Sequence, residues 1–278
     1  MPLLEVDHIS IQFGGLKAVD DVSFNIDRGE IVGLIGPNGA GKTTVFNLLT
    51  SVYQPTSGDL RFAGKSLLNN ATWQTVDLGM VRTFQNIRLY KGLSALDNIR
   101  IGFHNQGRYK LSSSLFRTKA YWREEQRYTR EAFELLDLFG MRDIALTQAR
   151  NLSYGQQRKL EICRALAAAP QLLLLDEPAA GMNPTETQDL METIRLIRDK
   201  FELAVVLIEH DMNLVMGICE RLIVLDYGHV IAAGEPAAIR RNEQVIKAYL
   251  GTTRDEADDA AAYDPALAAQ IEVFGGWA

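Results

Sequence analysis

Gly36 to Thr43 reads GPNGAGKT, which has the G-x-x-x-x-G-K-[ST] spacing of a loop that holds phosphate. It follows the apolar run Ile31 to Ile35 and precedes a helical run from Thr43 to Thr50. A strand before and a helix after is the setting such a loop needs. The glycines, Gly36, Gly39 and Gly41, let backbone N–H groups curl around phosphate oxygens. Pro37, Asn38 and Ala40 between them, and Thr44 just beyond, belong to the same expected nucleotide-binding stretch. Lys42 supplies a point charge for the β- and γ-phosphates, and the Thr43 hydroxyl can ligate Mg²⁺. The helix N-terminus adds its own positive end.

Leu172 to Glu177 reads LLLLDE, a buried-type strand ending in two carboxylates. Asp176 suits holding Mg²⁺ and Glu177 suits polarising an attacking water. Ile208 to Asp211 reads IEHD after another apolar run, so His210 can hydrogen-bond a γ-phosphate or the water beside it. Gln85 follows the short strand expected at Val81 to Phe84 and can reach Mg²⁺ or that water. Leu152 to Gln157 reads LSYGQQ ahead of a helical run, Arg158 to Ala169. Ser153 can cap that helix and Gly155 allows close backbone approach, making a second helix N-terminus suited to phosphate. Gln156 joins Ser153 and Gly155 as a nucleotide-binding candidate.

These groups require strands that deliver them to a common edge. Ile31 to Ile35, Leu172 to Leu175, Val205 to Ile208 and Leu222 to Leu225 are continuously apolar, as strands buried on both faces are. Helical stretches separate the later ones, which predicts a largely parallel α/β sheet. Leu3 to Ile11 and Val22 to Ile26 are shorter or alternating and read as an antiparallel flank. From Ser94, a plausible N-cap for Ala95 to Gly102, the pattern turns helical. Tyr121 to Phe139 continues it, with a polar loop expected over Asn105 to Thr118. This predicts a helical lobe inserted at roughly 94–168. After Gly251 the chain is acidic and alanine-rich, then apolar at its end. Residues 252–278 therefore read as a tail beyond a catalytic domain at 1–251.

The 278 residues carry a net charge of −6, which excludes a generally basic nucleic-acid footprint. Two cysteines, Cys163 and Cys219, have no metal spacing and read as core residues of a reduced protein. The start, MPLLEVDHIS, lacks the basic and apolar regions of a signal peptide, and the apolar runs are strand-sized. A membrane role is therefore expected to pass through a partner.

The order of phosphate loop, Gln85, LSYGQQ, LLLLDEP and His210 resembles the ABC transporter ATPases. Tyr154 stands where the commoner signature has glycine. FGGLKAVDDVSF, VRTFQNIRLY, EPAAGMNP and LIEHDMNLVMGICERLIVLDYG are similar to the longer ATPase of branched-chain (hydrophobic) amino-acid importers. The resemblance implies a RecA-like P-loop core with an antiparallel β flank and an inserted helical lobe. It implies ATP hydrolysis with Mg²⁺ and an adenine stacked on Phe13. It further implies a second ATPase subunit, homo- or heteromeric, whose Ser153 and Gly155 close on the first subunit's ATP. Two integral membrane permeases would be direct partners, and an external solute-binding protein an indirect one. The expected seat is the cytoplasmic face of the inner membrane. NIRLYKGL, from Asn86 to Leu93, mixes apolar and basic residues and is expected to dock the permease. Similar ATPases serve urea or amide importers and lipid or glycan exporters. A soluble, non-transport ABC ATPase is the remaining alternative.

Overall fold

The computed structural model describes residues 1–106 and 116–257. Most of the polar stretch at 105–118 and the tail beyond 257 lie outside the described residues. The four continuously apolar runs are strands with every central residue buried: β3 (Ile31–Ile35), β7 (Leu172–Asp176), β8 (Ala204–Ile208) and β9 (Arg221–Asp226). With β6 (Met80–Arg82) and β10 (His229–Gly234) they form a six-stranded sheet ordered β10-β9-β3-β8-β7-β6. Only β10 runs antiparallel to its neighbour. The carboxyl ends of β3, β6, β7 and β8 therefore share one edge, where α/β sheets place ligands.

Alternation along these strands divides their side chains between two cores. Val32, Leu34, Leu172, Leu174, Val206 and Ile208 face one core, completed by Val45, Phe46, Leu48 and Leu49 of helix α1 (Lys42–Leu49). The antiparallel sheet closes that side. It comprises β1 (Leu4–Phe13), β2 (Leu16–Ile26), β4 (Ser57–Phe62) and β5 (Lys65–Ser66), ordered β2-β1-β4-β5. Strands β1 and β2 are longer than expected, meeting across a turn that pairs Phe13 with Leu16. Register shifts after Val6, Ile9 and Ile11 interrupt the two-residue period, so alternation alone does not reveal the full strands.

Ile31, Ile35, Leu173, Leu175, Val205 and Leu207 face the other core, shared with the helical lobe. A short helix, α2 (Thr72–Asp77), precedes β6, and the lobe itself is α3 (Ala95–Gly102), α4 (Lys119–Leu138) and α5 (Tyr154–Leu166). Ser94 caps α3 by accepting from the Asp97 N–H at 3.0 Å. Helices α6 (Pro184–Phe201) and α7 (Met212–Ile218) complete this layer, and α8 (Pro236–Ile239) and α9 (Glu243–Ala257) follow β10.

One ion pair fastens the lobe to the sheet edge. Arg158 on α5 is fully buried, and its guanidinium donates to the carbonyls of Phe84 and Gln85, each at 2.8 Å. It also donates to Glu161 at 3.1 Å and to the Tyr154 hydroxyl at 3.2 Å. The other Glu161 oxygen accepts from the Arg88 N–H at 3.0 Å. Burial pushes the Glu161 carboxyl up, and these donors oppose the shift. Removing one member of such a pair strands the other in a dry interior. Arg158→Met is expected to lower stability by about 3–5 kcal/mol in urea unfolding. The double change Arg158→Met/Glu161→Leu is expected to recover part of that loss; strict additivity would count against a coupled pair.

Candidate active site

Strand order lines the reactive groups along the carboxyl edge. In the run β3-β8-β7-β6, the phosphate loop leaves β3, His210 follows β8, Glu177 follows β7 and Gln85 follows β6. Lys42, His210, Glu177 and Gln85 thereby meet in one open cleft of about 580 Å³.

The phosphate loop is shaped by close backbone approach. A Cβ at Gly36 would lie 2.0 Å from the Leu225 carbonyl oxygen, and its φ of +149° is one that only glycine adopts readily. The buried Lys42 ammonium donates to the carbonyl oxygens of Gly36 at 2.6 Å and Pro37 at 2.8 Å. Burial lowers its pKa to about 8, against an opposing pull from Glu177. Asn38, Gly39, Ala40, Gly41, Thr43 and Thr44 all line the cleft.

The two adjacent carboxylates have different surroundings. Asp176 is buried, and its Oδ2 accepts from Arg82 at 2.6 Å. Arg82 also donates to Asn47 on α1 at 2.8 Å, tying the phosphate-loop helix to the acid strand. Glu177 has the left-handed φ of +47°, an unusual conformation for a non-glycine residue. Its Oε2 accepts from Gln85 Nε2 at 2.7 Å, and its Oε1 lies 2.8 Å from His210 Nε2. A carboxylate only accepts, so that imidazole nitrogen carries the proton.

Phe13 also lines the cleft, 44% exposed, with Tyr53 packed edge-on against it at 5.1 Å between ring centroids. Ser153, Gly155 and Gln156 do not line the cleft. They stand at the start of α5, where the Ser153 hydroxyl accepts from the Gln156 N–H and the Gln156 side chain accepts from the Ser153 N–H. The helix starts at Tyr154, four residues before the expected run, because this capping box begins it earlier. The Tyr154 ring packs over Gly181, where a Cβ would lie 3.3 Å from the ring.

Arg82 was not foreseen as a member of the site. Leu16, Lys17 and Ala18 of β2, with Tyr227 and Gly228 of the β9–β10 turn, also line the cleft unforeseen. The Gly228 carbonyl accepts from the Asp20 N–H at 2.9 Å, and its N–H donates to the Ala40 carbonyl at 3.1 Å. No local spacing signals these wall residues, because turn pairing between distant strands brings them in.

Thr43 and Gln85 share the cleft with the phosphate loop, and Asp176 stands at the adjoining strand end. Oxygen donors of this kind suit Mg²⁺, which is commonly bound through one or two carboxylates together with substrate phosphates. Among the described residues, no cluster of three or more His, Cys, Asp and Glu side chains could hold a metal by itself.

A family model described as ABC transporter matches residues 19–180, and one described as branched-chain amino acid ATP-binding cassette transporter matches residues 229–255. The chain is 44% identical over 250 residues to the high-affinity branched-chain amino acid transport ATP-binding protein BraF of Pseudomonas aeruginosa. It is equally identical, over the same length, to LivG of Escherichia coli K12, a protein of the same description. Each match covers 90% of this chain and 98% of the relative. A nucleotide-free ATP-binding cassette from an ABC transporter superposes with a TM-score of 0.78 at 29% identity. The ADP conformation of such a cassette superposes with a TM-score of 0.79 at 30% identity. Both cover 90% of this chain and 99% of their own.

The lowered pKa of Lys42 has a measurable sign. Phosphate charge beside the ammonium raises its pKa, so ligand binding takes up a proton wherever the empty protein holds Lys42 partly neutral. Calorimetry at about pH 8.5, in buffers of different ionisation enthalpy, is expected to show proton uptake with ATP and weaker affinity than at about pH 7. Lys42→Met is expected to abolish the uptake. A zero proton count in the unaltered protein at the higher pH would contradict the assignment.

Proposed function

Because the chain belongs to the ABC transporter ATP-binding family, we propose that it powers an importer of branched-chain or other hydrophobic amino acids. It hydrolyses ATP, and we place it at the cytoplasmic face of the inner membrane, beneath two permease subunits and beside a second ATPase. An external solute-binding protein would supply the permeases without contacting this subunit. Among the described residues no helix is long and apolar enough to cross a membrane. The solute class is supported by the names of relatives at 44% identity and by the model matched at residues 229–255. We assign catalysis to residues 1–251, with the helical lobe at roughly 94–168 and residues 252–278 as a tail outside the working site.

The observation that carries the catalytic reading is the Glu177 carboxylate held by Gln85 and His210 in the cleft of the phosphate loop. Residues 36–44 bind the phosphates through backbone N–H groups, and Lys42 exchanges its two carbonyl partners for phosphate oxygens. Phe13 offers its ring to the adenine. Glu177 polarises a water for in-line attack, while Gln85 and His210 turn from its carboxylate towards the water and the γ-phosphate. Mg²⁺ would be held by Thr43, Gln85 and Asp176, and would supply positive charge to offset that of the phosphates. Ser153, Gly155 and Gln156 of a second subunit complete the γ-phosphate's surroundings. They are absent from this subunit's own cleft and stand at the start of α5, where Ser153 is exposed, Gln156 half-buried and Gly155 buried. ATP then favours the closed pair because more contacts are made there, and hydrolysis removes that preference.

The proposed route to the membrane starts at Gln85. Beyond it, Arg88, Leu89 and Tyr90 line a groove of about 560 Å³ with Ile101, Glu161 and Arg164 of the lobe. A permease segment seated there would feel any movement of Gln85, because Arg158 holds the Phe84 and Gln85 carbonyls to α5.

Glu177→Gln is expected to lower ATP turnover by about a hundredfold or more while leaving affinity nearly intact. It is also expected to accumulate an ATP-bound dimer on size exclusion. Near-normal turnover would remove Glu177 from catalysis. The transport reading is tested by co-expressing the chain with candidate permeases and reconstituting the purified assembly in vesicles. ATP-driven uptake is expected for leucine, isoleucine or valine. Uptake of urea with no amino-acid uptake would overturn the solute assignment.

A further inference from the structure

Between the cleft-lining Ile208 and His210 lies a buried carboxylate that the mechanism does not use. Glu209 is 4% exposed and does not line the cleft. Its Oε1 accepts from the Ala179 N–H at 2.7 Å. Its Oε2 accepts from the His210 N–H at 3.0 Å and, at 3.4 Å, from the Asp211 N–H. All three donors are backbone groups of the loops after β7 and β8.

These are the loops that flank Glu177. The Glu177 N–H donates to the Ile208 carbonyl at 2.9 Å. The Ala180 N–H donates back to the Glu177 carbonyl at 3.2 Å, closing a turn around the residue. His210 holds the Glu177 carboxylate from the side. Ile208, Glu209 and His210 thus each hold one part of the segment that starts at Glu177.

A carboxylate is a costly way to make such a joint. Burial raises the pKa of Glu209, and the three N–H donors oppose that rise. An apolar residue would avoid the desolvation but could accept no hydrogen bond. What the carboxylate adds is two acceptor oxygens facing two different loops.

We propose that Glu209 is a positioning residue for hydrolysis, fixing the turn after Glu177 and the backbone of His210 in one register so that acid and imidazole meet in the cleft. This rests on the reading of Glu177 as the residue that polarises water. Nucleotide binding, carried by residues 36–44, does not pass through this joint.

Glu209→Gln keeps the size of the side chain but replaces one acceptor with an NH₂ group, so it can accept on one side only. Its kcat is expected to fall about 10- to 100-fold, with KM for ATP within about twofold of normal. Glu209→Asp keeps the charge but is one methylene short, and is expected to show the same split in milder form. It stands in if the Gln variant does not fold. In a His210→Ala background, Glu209→Gln is expected to cost less than it does alone, since part of its effect passes through His210. A lowered Tm with unchanged kcat, or equal losses in kcat and ATP affinity, would overturn the inference, as would strictly additive effects with His210→Ala. Glu177→Gln, assayed alongside, separates the two levels. Near-normal turnover there overturns the catalytic reading and this inference together. Loss there with full turnover in Glu209→Gln overturns the positioning role alone.

Discussion

Both oxygens of one carboxylate are held by side chains from two other strand ends. Glu177 faces His210 through Oε1 and Gln85 through Oε2, and the partners lie 33 and 92 residues away in the chain. Such a bridge survives only if three strand ends keep a fixed spacing. A parallel sheet provides it, since neighbouring strands stand about 4.8 Å apart. Glu177 follows the middle strand of β8-β7-β6, so its partners arrive from either side. The phosphate loop enters from β3, next along the same edge.

Charge burial sets the second constraint. Lys42, Asp176, Glu161, Arg158 and Glu209 are all buried, and each needs partners to remain so. Lys42 uses the carbonyls of its own loop, whereas the others reach across elements. Arg82 joins the acid strand to the phosphate-loop helix, and Arg158 joins the lobe to the exit of β6. These pairs make the site's groups dependent on one another as well as on the backbone beneath them. They also explain how two cores on opposite faces of the sheet can be read as one working unit.

Contiguous chemistry was legible in the sequence. GPNGAGKT, LLLLDE and IEHD each place polar or charged residues directly after a buried apolar run, so strand and edge are written together. The helix caps Ser94 and Ser153 were legible for the same local reason. Partners brought in by the fold were not: Arg82 lies 94 residues from Asp176, and Arg158 lies 74 from Phe84. A buried arginine carries no local spacing that distinguishes it from an exposed one. The long hairpin of β1 and β2 was only half legible, since bulges reverse the alternation on which a strand reading depends. Glu209 stood in plain view inside IEHD, yet its burial is a property of the packed chain alone.

Tyr154 takes the place of a glycine found in the commoner signature, and it does two things that glycine cannot. Its hydroxyl accepts from Arg158, and its ring lies against Gly181, where a Cβ would meet it at 3.3 Å. Positions 154 and 181 therefore share one volume. Gly181 is held to glycine twice over, because its φ of +75° strains any L side chain and a Cβ there would also crowd the ring. Replacing Tyr154 with glycine would therefore remove the crowding but leave the backbone strain, so position 181 stays a glycine site whatever stands at 154.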